Sequence, residues 1–227
     1  MLVLAIETST LTGSVALLQD HHLVRCATLD PKQRTAQSLA PAMAAQLRSA
    51  GWQPRHVNLV AVSHGPGSFT GLRVGVTTAK AFAYAVGAEV LGVNTLEVIA
   101  VQAQLDSQLL WPVIDAQRGQ LFAALFRHSS GGAWELLEPT RIMDSDEWIG
   151  RLTTGVGVSG PGLSRLVERL PGDVLIEDQP RWTPHAATVG QLAVRRYQSG
   201  ERTDLWSLVP HYHRPSAADE KLAARRT

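Results

Sequence analysis

Residues 62–87, VSHGPGSFTGLRVGVTTAKAFAYAVG, constrain the fold more than any other part of the sequence. An apolar run ends at Val62, a Gly-Pro-Gly turn follows, and the rest has the apolar spacing of a helix. Two opposite sides of this helix are apolar, the first with Leu72, Val76, Ala79, Ala83 and Val86, the second with Val74, Thr78, Ala81 and Ala85. A surface helix needs a single apolar stripe, so we expect both sides to be covered. The chain's own sheet would cover the first side. Either a second protein or the second half of the chain would cover the other.

Composition narrows the class of protein. The 227 residues are 44% hydrophobic and 18% charged, which is typical of a globular chain with a sizeable core. The net charge of +1 lacks the basic excess of a protein that binds nucleic acid alone. Cys26 is the single cysteine, so an intrachain disulfide and a cysteine-based zinc site are excluded. The first residues do not form a signal peptide, and no apolar run approaches the roughly 18 residues that span a bilayer, so we expect a cytoplasmic protein without membrane contact.

The order of predicted elements repeats in the two halves of the chain. Each half opens with an apolar strand that ends in an acid, Glu7 or Asp115, followed by a return strand. Each half later has a strand, a Gly-Pro-Gly turn and a helix, the second of these helices at residues 163–170. We therefore predict an α/β protein of two duplicated lobes; coincidence between common strand–turn patterns is the alternative. The predicted boundaries are 1–105, 106–209 and a tail at 210–227.

Three more helices are predicted from spacing and end signals. The first has Thr35 as its N-cap and ends near Ala50, before Gly51. The second starts at Asn94 or Thr95 and ends near Leu105, and the last spans about 186–199.

No motif in the chain assigns an active site. The loop GPGSFTG at 65–71 is neither a P-loop nor a dinucleotide fingerprint; its glycines would either expose N–H groups to an anion or let the helix pack closely on the sheet. Glu7 would hold a hydrated magnesium ion, act as a base, or cap its turn. No histidine pair has metal-ligand spacing, and His211 and His213 are predicted to be a solvated pair in the tail.

Four segments resemble one protein family across nearly the whole chain. They are LAIETSTLTGSVALL, SHGPGSFTGLRVGVTTAKAFA, IDAQRGQLF and PHYHR. They resemble the TsaB (YeaZ) family, bacterial tRNA threonylcarbamoyladenosine biosynthesis proteins. The resemblance implies the actin/hexokinase/Hsp70-like (ASKHA) fold with two duplicated βββαβα lobes. It also implies a place in the complex that modifies the adenosine beside the anticodon, in tRNAs reading codons that begin with A.

The resemblance further implies a non-catalytic subunit. The catalytic sister family, TsaD, binds its metal through a His-x-x-x-His pair whose positions fall on Thr95 and Ile99 in this sequence. TsaB proteins form homodimers, and they pair with TsaD through the same two helices, which match 36–50 and 72–86. The implied interface residues are Ala40, Met43, Ala44, Leu47, Arg73, Val74, Thr77, Thr78, Ala81, Tyr84 and Ala85.

The resemblance also implies a third protein, an indirect contact with tRNA and a nucleotide. The ATPase TsaE joins the TsaB–TsaD pair, and tRNA is contacted only through the complex. No cofactor is tightly bound, but ATP or ADP would sit at the junction of the complex. In this chain the candidate contacts of the nucleotide are Glu7, Gly67 and Ser68.

Two other classes of function remain open from the residues. The first is an ATP-dependent phosphotransferase or a metallopeptidase of the same fold. Kinases of this fold use acids at both hairpin turns, where Glu7 and Asp115 stand. The chain lacks the inserted substrate domains of such kinases. A tRNA-binding module that acts alone conflicts with the net charge of +1.

Overall fold

Two mixed five-stranded sheets form the framework of the part of the chain that the structure describes. The computed structural model describes residues 1–129 and 131–214. Of the predicted tail at 210–227, residues 215–227 lie outside the described part. No helix within the described residues is long and apolar enough to cross a membrane.

The first sheet contains the strands of the N-terminal half. They are β1 (Leu2–Glu7), β2 (Ser14–Gln19), β3 (His22–Thr28), β4 (Leu59–Gly65) and β5 (Glu89–Asn94), in the order β3-β2-β1-β4-β5. β1, β2 and β3 pair antiparallel, whereas β1, β4 and β5 pair parallel. The apolar residues from Val3 to Ile6 of β1 and from Leu59 to Val62 of β4 are fully buried, as a central strand covered on both faces requires.

The second sheet repeats this arrangement. Its strands are β6 (Leu109–Gln117), β7 (Gln120–His128), β8 (Trp134–Asp144), β9 (Gly157–Ser159) and β10 (Leu175–Ile176), in the order β10-β9-β6-β7-β8. Again the first three pair antiparallel and the last two are added in parallel. The predicted α/β class and the repeated strand order are therefore confirmed. The exact lobe boundaries stay a prediction.

Within the described residues, five α-helices surround the sheets. They are α1 (Thr35–Ser49), α2 (Phe69–Val86), α3 (Thr95–Gln102), α4 (Ser145–Gly150) and α5 (Ala186–Gln198). α1 and α2 share one apolar cluster with Leu4 and Ile6 of β1, whereas α5 packs with Val3 and Ala5 on the opposite face of the same sheet. The last helix of the chain therefore covers the first sheet, although it follows the second sheet in sequence.

Three details of the predicted helices are wrong. The helix predicted at 163–170 is a pair of 3-10 turns, Pro161–Arg165 and Val167–Arg169. So few residues form a marginal α-helix, and Pro171 follows at once. The N-cap of α1 is Arg34 rather than Thr35, and it makes no side-chain cap bond.

The third error concerns the end of α3, which lies at Gln102 rather than near Leu105. The Gln102 amide donates to Thr183 O at 2.8 Å, and the Glu177 carboxylate accepts from Gln104 N. These contacts hold the backbone after Gln102 in an extended course.

Candidate functional site

α2 lies unusually close to the turn after β1 because glycine occupies its contact positions. A Cβ at Gly71 would lie 2.0 Å from Thr8 O, and one at Gly75 would lie 2.1 Å from Thr8 Oγ1. Thr8 Oγ1 donates to Gly71 O at 2.9 Å. Ser68 caps the helix by accepting from Gly71 N at 3.2 Å, and Gly87, with φ of 71°, ends it. The sequence between β4 and β5 therefore sets both the position and the length of α2.

The two apolar sides of α2 have different environments. The first side is buried up to Ala83: Leu72 and Val76 are 1% and 3% exposed, and Ala79 and Ala83 are 0% exposed, whereas Val86 at the helix end is half-buried. On the second side Val74 and Thr78 are half-buried, whereas Ala81 and Ala85 are exposed. Within residues 1–129 and 131–214, the second half of the chain does not cover this side. The alternative of an internal cover is therefore wrong for the described chain.

An apolar groove separates the exposed side of α2 from α1. Its volume is about 400 Å³, and its lining is Ala40, Met43, Ala44, Leu47, Arg48, Trp52, Pro54, Thr78, Ala81 and Phe82. Met43 and Leu47 are only 4% and 3% exposed and belong to the core of the first sheet. They form the floor of the groove, so these two predicted interface residues are already buried in the isolated chain. The groove can receive apolar side chains of a protein that packs across both helices.

The other predicted interface residues form the outer ridge of α2. Arg73, Thr77, Tyr84 and Ala85 are exposed, with 68% of Tyr84 accessible. Val74 is half-buried at the edge of the core. All of the predicted residues of α2 thus lie on one continuous side of the helix, next to the groove.

Residues 203–214, which we call the strap, run along the other flank of α2. Lys80 Nζ donates to Trp206 O at 3.1 Å and to Leu208 O at 3.0 Å. Leu208 is buried in the core of the first sheet, and Arg214 Nη1 donates to Ala116 O of β6 at 2.6 Å. The strap therefore connects α2 with the second sheet. Sequence reasoning missed the strap because it has no periodicity; the only signal was its PHYHR segment.

Two histidines of the strap lie against the body of the protein. His211 N donates to His64 O at 2.7 Å, and the two imidazole rings are 4.3 Å apart. Burial lowers the pKa of His64 to about 4 and also lowers the pKa of the half-buried His213. The prediction of a solvated pair is therefore wrong for His213. The neutral His64 lines a polar cavity of about 220 Å³ between the strap and α5.

Glu7 caps the turn that follows β1. Its Oε1 accepts from Ser9 N and from Ser9 Oγ, both at 2.5 Å, and the side chain is 0% exposed. Burial raises the pKa of Glu7 to about 7, and the hydroxyls of Ser63 and Ser9 partly offset this rise. Glu7 Oε2 and Ser63 Oγ form no hydrogen bond of normal geometry with the described residues. Asp115 has the same role in the second sheet, where its Oδ1 accepts from Gln117 N at 2.7 Å.

The turn that follows β1 packs into the GPGSFTG loop at residues 65–71. A Cβ at Gly67 would lie 2.4 Å from Ser9 O, and Ser68 N donates to Ser9 O at 2.7 Å. Ser68 Oγ is used as the cap of α2. Ser68 N and Ser68 Oγ are therefore already used within the chain, and Glu7, Gly67 and Ser68 as contacts of a nucleotide stay a prediction. ATP or ADP at the junction of a complex stays a prediction.

The helix that would hold a metal in the TsaD family has no ligands in this chain. Thr95 and Ile99 are both 0% exposed and pack inside the protein. The described residues contain no group of three histidines, cysteines or acids that could hold a metal ion.

Comparison with protein families gives one partial match. The family model described as "TsaD: tRNA N6-adenosine threonylcarbamoyltransferase" matches residues 31–135. This range contains α1, α2 and α3 and ends at the start of β8.

Two curated relatives match over almost their full length. The tRNA threonylcarbamoyladenosine biosynthesis protein TsaB of Bacillus subtilis is 28% identical over 228 residues, which are 97% of each chain. TsaB of Escherichia coli is 29% identical over 242 residues, covering 99% of this chain and 100% of the relative.

A solved structure supports the similarity to TsaB (YeaZ) proteins. YeaZ from Pseudomonas aeruginosa superposes with a TM-score of 0.80 at 26% identity, covering 93% of this chain and 99% of that one. The predicted ASKHA fold is confirmed by this match together with the repeated sheets.

Proposed function

Because the chain belongs to the TsaB (YeaZ) family, which takes part in the biosynthesis of threonylcarbamoyladenosine in tRNA, we propose that it is the non-catalytic subunit that pairs with a TsaD-type transferase and activates it. The observation that carries this proposal is the uncovered side of α2 beside the α1–α2 groove. This side of α2 is apolar enough to bind another protein, and it consists of Val74, Thr78, Ala81 and Ala85. Its residues are also small enough for a second helix to approach closely.

The match to the TsaD family supports a TsaD-type chain as the protein that would meet this surface. The matched residues, 31–135, include both α1 and α2, so a TsaD chain has counterparts of the two helices. Two such helix pairs can pack as a four-helix arrangement, with apolar side chains of the partner in the groove. A second copy of this chain offers the same two helices, so self-pairing would compete with pairing to TsaD.

The residues of α3 favour the role of a non-catalytic subunit over that of a catalytic one. Thr95 and Ile99 replace the histidines of the sister family and are buried. Glu7 caps a turn, and Asp115 does the same. In the proposed complex, TsaE would join the TsaB–TsaD pair, and tRNA would be held by the assembly rather than by this chain alone.

The test reconstitutes the reaction from purified components. The chain is combined with TsaD, TsaE, ATP, a threonylcarbamoyl donor and tRNA, and modified nucleoside is measured by mass spectrometry. We expect no product without TsaD, and a marked increase when the chain is added to TsaD. Product formation by the chain alone, or a TsaD that neither binds the chain nor responds to it, would refute the proposal.

A further inference from the structure

The α1–α2 surface carries positive charge without any acid. α1 and α2 contain no Asp or Glu, and their basic residues are Arg48, Arg73 and Lys80. The Lys80 ammonium is bound by two carbonyls of the strap, and Arg48 lies at the end of the groove. Arg73, in the second turn of α2, is exposed. A partner that packs across this surface therefore meets cations and no compensating carboxylate.

The strap holds Arg73 in one orientation. Its Nε donates to Tyr212 Oη at 3.0 Å, across 139 residues of sequence. Its guanidinium carbon lies 4.0 Å from the centre of the Phe69 ring, and the Phe69 and Tyr212 rings are 4.6 Å apart. In the described part of the chain, Arg73 makes no ion pair, and its two terminal nitrogens make no hydrogen bond. An immobilised guanidinium with free terminal nitrogens is suited to bind a carboxylate through two hydrogen bonds.

We infer that Arg73, positioned by Tyr212 and Phe69, binds a carboxylate on the helix pair of a TsaD-type partner and makes that pairing more favourable than self-pairing. The inference rests on the proposed function and adds the charge that the partner must present. Two copies of this chain would bring together surfaces that both carry Arg48 and Arg73 and no acid, which disfavours the homodimer. Because contacts within the chain already order the Arg73 side chain, less conformational entropy is lost on binding.

An RNA phosphate is the less favoured ligand for Arg73. Phosphate backbones are bound by several cations along a path. Here the other basic residue of α2, Lys80, is bound by two carbonyls, and the α1–α2 groove, which Arg73 does not line, is apolar. A single fixed arginine beside an apolar groove fits an ion pair within a protein interface.

The experiment compares Arg73→Ala, Tyr212→Phe and the double variant with the unmodified chain. Arg127→Ala is the control, because Arg127 is 57% exposed on the second sheet. Dissociation constants for TsaD and for the homodimer are measured by analytical ultracentrifugation at low and high salt, with thermal unfolding as the check of folding. Tyr212→Phe keeps the aromatic ring and removes only the hydroxyl that accepts from Arg73.

The inference predicts a specific pattern. Arg73→Ala should weaken TsaD binding about 10- to 100-fold and reduce its salt dependence, while the homodimer is unchanged or tighter. Tyr212→Phe should weaken TsaD binding about threefold to tenfold, and should add nothing in the Arg73→Ala background, because the hydroxyl acts through the arginine.

Four results would overturn the inference and leave the proposed function intact, and three of them concern protein binding alone. These are TsaD affinity unchanged within twofold in Arg73→Ala, an equal loss in the homodimer and the TsaD pair, or full additivity of the two substitutions. Normal TsaD pairing with loss of tRNA from the complex would assign Arg73 to RNA and would also overturn it. If the unmodified chain does not pair with TsaD at all, the proposed function fails as well.

Discussion

A carboxylate placed at Ala81 tests the docking surface most directly. Ala81 is exposed and lies in the wall of the groove, so Ala81→Asp removes no contact that the isolated chain needs. Substitutions at such surface positions change the free energy of unfolding by about 0.5 kcal/mol or less. In a complex the same carboxylate would be buried against apolar side chains without a partner, at a cost of about 3–5 kcal/mol. Since about 1.4 kcal/mol corresponds to a tenfold change in affinity, TsaD binding should weaken at least about 100-fold.

The assay measures both the binding affinity and the thermal stability of each variant. Dissociation constants for TsaD and for self-association are measured by sedimentation, and each variant is melted under the same conditions. Ala81→Ser controls for polarity without charge, and Leu136→Asp, at a residue of β8 that is 57% exposed, controls for an added charge elsewhere. An Ala81→Asp variant that binds TsaD normally would show that this side of α2 is not the interface. A variant that unfolds would show that the side is covered within the chain, contrary to the structure.

Three more predictions follow from the buried groups. The pKa of Glu7 is raised from 4.5 to about 7, so its stabilising contribution is complete below about pH 4.5 and is lost as pH rises through 7. Glu7→Gln should therefore stabilise the chain by up to ~3 kcal/mol at pH 8 and by little at pH 4, with TsaD activation retained; equal effects in urea unfolding at both pH values would contradict the burial argument. Elemental analysis of the purified chain should find no stoichiometric transition metal, and about one zinc or iron per chain would refute the interpretation of Thr95 and Ile99. Gly75→Ala should destabilise the chain by about 1–3 kcal/mol because its Cβ would lie 2.1 Å from Thr8 Oγ1, whereas Gly172→Ala has open space around it and should be neutral in thermal unfolding.

Much of the framework was predictable because it depends on local patterns. The apolar runs of β1 and β4 predict strands, and those strands are buried from Val3 to Ile6 and from Leu59 to Val62. The spacing within α2 predicted its two apolar sides. The repeat of a strand ending in an acid predicted the second sheet, where Asp115 caps its turn as Glu7 does.

Other features depend on contacts between distant parts of the chain. The periodicity of α2 shows that its second side is apolar, but only the tertiary structure shows that the described residues leave Ala81 and Ala85 exposed. α5 covers the first sheet, although its own pattern gives only an amphipathic helix with no stated partner.

The strap shows most clearly that a sequence pattern does not predict contacts between distant segments. It has no helical or strand period, and its position is fixed by Lys80, by Leu208 and by the bond between Arg73 and Tyr212 across 139 residues. A sequence pattern records which side of an element avoids water. Which distant segment covers that side, and which side stays open for another protein, is decided by the packing of the whole chain.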